Sequence, residues 1–314
     1  MTHARLGTVL VLVAATTFGI NAGVTRVALR AGVDAMTFTS LRITAAATVL
    51  ALIAAVISPA SLRIPRRDEA LLFLAFGALG VASLQLTYNI AINRIPLGMA
   101  LLLEYLAVVL VVLWARFVRA EAVHRRVIVA VVCCVAGVAA VGQVWQGLTL
   151  DALGVAMGLA AAVSLASYFI LGERHAREAV GRVDSLHLIL WGFVCGAVIM
   201  NLVAPSWRVP DLGMSANWRG PLSHINTPLW VPIVLTVVLG TVVPFFCELL
   251  ALRVMPATVV TVLSTLEPVV AIIVGWAWWY EVLDASQLIG CALIMSGIWL
   301  AQSSRAQAPP IPES

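Results

Sequence analysis

Charge is scarce in this chain of 314 residues: 11% are Asp, Glu, Lys or Arg, against about 25% in an ordinary soluble domain. Lysine is absent, so all 19 basic residues are arginine. With 62% hydrophobic residues, the chain has too few polar groups to cover a globular surface. A cytosolic enzyme, a secreted disulfide scaffold and a disordered protein are therefore excluded. Cysteine is scarce too. Cys133, Cys134, Cys195, Cys247 and Cys291 lie in apolar stretches and none forms a CxxC, so they read as small buried hydrophobes. Walker A, HExxH, GxSxG and Cys–His zinc patterns are all missing. His3, His124 and His224 lie outside the apolar runs, and His175 and His187 lie at the ends of runs. These absences predict no enzyme activity, no cofactor and no metal. The arginines are scattered over loops, which argues against a nucleic-acid partner.

What the chain does have is long apolar runs. A helix needs about 20 apolar residues to cross a hydrocarbon core of about 30 Å. Ten runs approach or exceed that length: 6–29, 35–57, 70–92, 97–118, 127–145, 148–171, 186–204, 229–252, 257–280 and 285–302. They predict an all-α membrane protein with ten transmembrane helices embedded in a lipid bilayer. The segment 205–228, with Pro205, Pro210, Gly213, Gly220, Pro221 and Pro228, reads as an irregular outer loop. Residues 306–314, with Pro309, Pro310 and Pro312, read as a disordered tail. The first run is longer than a signal-peptide core and reads as a retained helix.

Placing the N-terminus in the cytoplasm puts 13 arginines on inner segments and five on outer ones, namely Arg26, Arg30, Arg94, Arg208 and Arg219. Arg42 lies inside a helix. This bias predicts both termini on the cytoplasmic side. Trp145, Trp207, Trp218, Trp230, Trp276, Trp278 and Trp279 then fall at outer ends, as an interfacial belt would. A shift of 160 residues lays Pro96 on Pro256, both at helix starts, and Gly137 on Gly297. Five helices per half is an odd number, so the second half enters the membrane from the opposite side. The prediction is two inverted five-helix repeats, 1–147 and 148–305, with a site near the midplane between them. Gly19–Gly23, Gly154–Gly158 and Gly192–Gly196 are GxxxG pairs and predict close helix packing.

An ionisable group in hydrocarbon costs at least about 2.5–3.5 kcal/mol, so each one there needs a reason. Arg42 and Glu104 each lie seven residues into a helix that starts outside. At about 1.5 Å per residue both sit roughly 10 Å deep. They read either as a charged site facing a cavity or as a buried ion pair that fixes helix packing. Glu267 is roughly 15 Å deep by the same rise. The following Pro268 removes a backbone donor and leaves a carbonyl to be satisfied locally. Thr261, Ser264 and Glu267 share a helical face, and so do Gln85, Tyr88 and Asn89. Thr17 with Asn21, and Ser164, Ser167 and Tyr168, add two further polar stripes. Each stripe alone reads equally as interhelical glue; together they suit a hydrated cavity. Glu248, near the inner end of its helix, reads as snorkelling towards Arg253. A zwitterion needs a cation for its carboxylate and an anion or carbonyls for its ammonium. Arg42 can serve the first and Glu104 or Glu267 the second, and a glutamate can also carry a proton in exchange.

The stretch Ala91-Ile-Asn-Arg-Ile-Pro-Leu-Gly-Met-Ala-Leu-Leu-Leu-Glu104-Tyr105-Leu-Ala resembles the fourth-helix motif of EamA-type members of the drug/metabolite transporter superfamily, especially the threonine/homoserine exporter branch. The second half carries Ala251-Leu-Arg-Val-Met-Pro256, Leu266-Glu267-Pro268, Trp276 and Tyr280-Glu281 in the family's order. Phe18-Gly19-Ile20-Asn21 is similar to the family's Trp-Gly-x-Asn, and Arg42 sits where the family often carries an arginine. Val108 departs from the pattern, which often has proline there. The resemblance covers nearly the whole chain. It implies an inner-membrane exporter of small metabolites, often amino acids, working by alternating access as a monomer or weak dimer. The substrate-contacting residues expected are Asn21, Arg42, Gln85, Tyr88, Asn89, Glu104, Tyr105, Tyr168, Ser264 and Glu267, with protons as a second partner. The rival reading is a membrane-embedded accessory or scaffold subunit; an intramembrane enzyme is disfavoured by the missing motifs.

Overall fold

The computed structural model describes residues 3–67, 69–118, 126–143, 150–178, 185–208, 211–252, 254, 260 and 263–305. Helix α1 spans His3–Arg30 and α2 spans Ala35–Ile57. Then come α3 (Ala70–Arg94), α4 (Leu97–Phe117), α5 (Arg126–Gly142), α6 (Ala152–Glu178) and α7 (Ser185–Val203). After a long connection, α8 runs through Trp230–Val242 and Val243–Leu252, followed by α9 (Leu266–Trp279) and α10 (Ala285–Arg305). Among the described residues, six helices are long and apolar enough to cross a membrane, and four shorter apolar ones accompany them. The apolar runs thus become helices, because a continuous apolar face all round suits lipid outside and packing inside.

The connection between α7 and α8 is more ordered than its prolines and glycines suggest. Strand β1 (Ser215–Asn217) pairs antiparallel with β2 (Asn226–Pro228), Ala216 opposite Thr227. Ala216 is fully buried. Trp218 stacks on Trp278 at 5.7 Å, and the Trp278 indole N–H donates to the Trp218 carbonyl at 2.7 Å. These two tryptophans therefore pin the hairpin to α9. Trp207, Trp230 and Trp276 are exposed, and Trp145 lies outside the described residues.

The helices pack in a definite scheme. Helix α1 packs on α8 and α9; α6 packs on α3 and α4; α2 packs on α7, α5 on α10 and α4 on α9. Small residues set the close approaches. A Cβ on Gly19 would lie 2.5 Å from Val270 Cγ1 of α9, and one on Gly158 would lie 2.9 Å from Leu103 Cδ1 of α4. Gly196 likewise abuts the Gly77 carbonyl, so all three GxxxG pairs sit at helix contacts. In the α5–α10 pair, Gly137 faces Ile294 and the Gly290 carbonyl, while Gly297 faces Cys134 and the Ala130 carbonyl. Each of these contacts maps onto the other under the 160-residue shift.

Two helices carry π-turns, at Phe76–Ser83 in α3 and Val238–Val242 in α8. The same shift lays Gly80 on Gly240. Well under 1% of residues adopt this conformation, and it concentrates at functional positions. Helix α4 breaks at Leu106, whose N–H turns back to Leu103 O, and α9 starts after a break at Thr265. Both breaks lie beside the intramembrane glutamates.

Candidate functional site

A cavity of 460 Å³ lies among the helices. Its wall is drawn from α1, α2, α3, α4, α6, α7, α8 and α9, and from the chain leading into α9. Nine of the ten expected contact residues line it: Asn21, Arg42, Gln85, Tyr88, Glu104, Tyr105, Tyr168, Ser264 and Glu267. Asn89 is the correction. It is fully buried against α2, where its side-chain amide donates to Thr39 Oγ1 at 2.9 Å. One residue on from Tyr88, it turns away from the cavity and ties two helices together. The expectation missed Phe18, Phe169 and Phe193, which add aromatic wall, and Gly240. Aromatic residues in a helix look like ordinary apolar wall, so the sequence carried no signal for them.

Arg42 is 4% exposed, and its Nε and Nη1 have no protein partner. Glu104 Oε2 is buried without a partner as well. No ion pair joins the two among the described residues. Both groups line the cavity instead of forming a direct contact pair. Asn21 Oδ1 is a third orphaned group on the same wall.

Across the cavity, Tyr105 of α4 reaches α9. Its hydroxyl donates to the Ser264 carbonyl at 3.1 Å. That carbonyl is the one Pro268 would have served with an N–H in an unbroken helix, so the proline's missing donor is replaced by a tyrosine from another helix. Thr261 lies outside the described residues. Of the other polar stripes, Thr17 and Ser167 bond back to their own helices, and Ser164 bonds Ser83 across α6 and α3 at 2.9 Å. These are packing groups, not cavity groups.

At one end of the bundle lies a buried cluster. Arg26, read from sequence as a loop charge, is 5% exposed and lies inside α1. Its guanidinium donates at 2.5 Å to the Ile92 carbonyl and at 2.5 Å to the Ile95 carbonyl, and it pairs with Glu281. Glu281 in turn accepts the Leu97 backbone N–H at 3.0 Å, capping the first turn of α4. The Trp279 ring lies 5.2 Å from the guanidinium carbon. One charge pair thus joins α1, the α3–α4 corner and the end of α9.

No group of three or more His, Cys, Asp or Glu is gathered closely enough to hold a metal among the described residues.

The sequence model of the EamA-like transporter family matches this chain twice, over residues 5–143 and 152–302. Protein PecM of Dickeya dadantii is 24% identical over 76% of this chain and 77% of its own. The threonine/homoserine exporter RhtA is 25% identical in Salmonella typhimurium, over 72% of this chain and 69% of its own, and 25% identical in Escherichia coli K12 over 71% and 68%. A protein crystal structure shares the fold, with a TM-score of 0.55 at 19% identity over 94% of this chain and 99% of that one. With both halves matched and the helices apolar enough to span a bilayer, the chain is a multi-pass membrane transporter and belongs to the EamA-like transporter family.

Proposed function

We propose that this protein is a secondary transporter that exports small metabolites, amino acids and related compounds first, across the inner membrane by alternating access. The single observation that carries this reading is the cavity holding buried Arg42 and Glu104 with orphaned polar atoms. A solid accessory subunit has no use for such groups. Left unpartnered, each costs about 1–3 kcal/mol or more, which a bound ligand recovers. An arginine and a glutamate lining one cavity suit the two ends of a zwitterion. That the RhtA relatives are threonine/homoserine exporters agrees with an amino-acid substrate.

Alternating access needs two bodies that rock about a fixed site. The proposed bodies are the inverted repeats 1–147 and 148–305. Three facts support the division. The family matches each half separately. Exchanging α1–α5 for α6–α10 turns the packing of α1 on α8 and α9 into that of α6 on α3 and α4. The two π-turns and the Gly137 and Gly297 contacts coincide at the same shift. Glu104 is the group proposed to carry a proton in exchange for substrate.

The test is efflux from proteoliposomes loaded with a panel of labelled amino acids and related metabolites. Export of at least one member that Arg42→Met abolishes is the expected result. A chain that moves none of the panel, with or without a pH gradient, points to the accessory role instead.

A further inference from the structure

Gly240 sits at the centre of the α8 π-turn and lines the cavity. A Cβ built there would run into Asn21 Nδ2 and lie 2.8 Å from Arg42 Nη2. The obstacle is the tip of two side chains, not backbone. A methyl group at this position would therefore spare the helix packing and push the guanidinium away. Pro244 adds a second feature: it has no N–H to offer the Gly240 carbonyl in α register. The turn widens where helix α8 approaches the arginine of α2 and the asparagine of α1. A rare backbone conformation, a missing side chain and an arginine with two orphaned donors meet at one point.

We infer that Gly240 is a positioning residue: the α8 π-turn is a seat that aims Arg42, flanked by Asn21, at the carboxylate of the transported molecule. This rests on the reading of the cavity as a substrate site. Helix α2 alone does not aim the side chain, since a long arginine has many rotamers; the bare Cα of Gly240 leaves open the one used. Nε and Nη1 lie on opposite edges of the planar guanidinium, and each fork that can grip a carboxylate's two oxygens pairs one of them with Nη2, the nitrogen beside Gly240. Arginine with a glycine seat thus selects a planar oxyanion over an uncharged amide of the same shape.

The experiment uses the full chain purified in detergent. L-threonine, L-leucine and L-phenylalanine are each paired with their C-terminal amides, and binding is read by thermal stabilisation. In the unmodified protein the acid of the best-bound pair binds at least about ten-fold tighter than its amide, as loss of a charge-assisted bidentate contact implies. Gly240→Ala brings that ratio close to one with little change in the unliganded melting temperature. Arg42→Met does the same, and the double variant loses nothing further. A Gly240→Ala ratio equal to that of the unmodified protein overturns the proposal. If Gly240→Ala fails to insert, Asn21→Ala makes room beside it, and the Asn21→Ala/Gly240→Ala pair against Asn21→Ala alone carries the same comparison. Labelling by phenylglyoxal in membranes, mapped by peptide mass spectrometry, needs no ligand. The rate at Arg42 relative to Arg63 shifts several-fold in Gly240→Ala if the seat aims the guanidinium, and an unchanged rate overturns the proposal. If no panel member binds the unmodified protein, the amino-acid reading fails while the labelling still decides the seat.

Discussion

Two arginines inside the bundle illustrate opposite uses of the same side chain. Arg26 is saturated: two carbonyls, a carboxylate and an indole face surround it. Removing it strands Glu281 and the carbonyls of Ile92 and Ile95. Arg26→Met is therefore expected to destabilise the fold by about 3–5 kcal/mol, the usual cost of breaking a buried pair from one side. The double variant Arg26→Met/Glu281→Gln recovers part of that loss, read by thermal unfolding in detergent. Equal melting temperatures for both variants and the parent would show the cluster to be idle. Arg42 is unsaturated and faces the cavity, so Arg42→Met is expected to keep the melting temperature within a few degrees while efflux stops. Glu104→Gln keeps the fold as well, and changes the rate of efflux and its dependence on pH. An efflux profile across pH 5–9 identical to that of the parent would remove Glu104 from any proton-carrying role.

At the scale of elements, the helix ends and breaks carry the specific chemistry. Asp34 caps α2 by accepting the Met36 and Thr37 backbone N–H groups at 3.0 Å each. Partial burial raises its pKa, but the hydrogen bonds from Thr37 and Met36 outweigh that, and the carboxyl titrates below its ordinary range. A carboxylate with a lowered folded pKa stabilises the fold above its unfolded pKa and loses that contribution as pH falls through the folded value. Asp34→Ala is expected to cost about 1 kcal/mol at neutral pH, with the difference from the parent shrinking on acidification below the normal aspartate range. The α9 break makes a sharper prediction. Tyr105→Phe removes the hydroxyl that donates to the Ser264 carbonyl and costs about 1 kcal/mol. Pro268→Ala restores a backbone donor to that carbonyl, so Tyr105→Phe costs much less in the Pro268→Ala background. Additive effects in this double-mutant cycle would break the link drawn between the proline and the tyrosine.

For the whole molecule, the proposed inverted repeat and the arginine bias predict the same topology. An impermeant thiol reagent added to intact cells should modify a cysteine placed at Ser215, which is exposed in the hairpin strand β1, and miss one placed at Ser304 in α10. The reverse pattern would invert the assigned orientation. A two-fold exchange of halves also predicts matched effects: Gly137→Ala and Gly297→Ala, each meeting the opposite helix of the α5–α10 pair within 3.0 Å, should lower the melting temperature by similar amounts.

Class, helix positions and the chemistry of the cavity were legible in the residues themselves. Scarce charge and apolar runs dictate membrane helices, because the bilayer forbids unpaired backbone and unsolvated charge. For the same reason Arg42, Glu104 and Glu267 stood out: each is too costly in hydrocarbon to be incidental. The run 148–171 became Ala152–Glu178, about one turn later at its start and two at its end, since apolar content does not mark where a cap forms. The irregular reading of 205–228 missed the hairpin, because its order comes from Trp218 lying on Trp278, sixty residues further along the chain. Tertiary structure alone decided which polar groups face inward. Asn89 and Gln85 belong to one predicted stripe, yet Thr39 of α2 draws Asn89 out of it. Arg26 and Arg30 are separated by one turn, yet only Arg26 meets Glu281, 255 residues away. Such partners are set by how helices distant in sequence cross, and periodicity within one helix carries no information about that crossing.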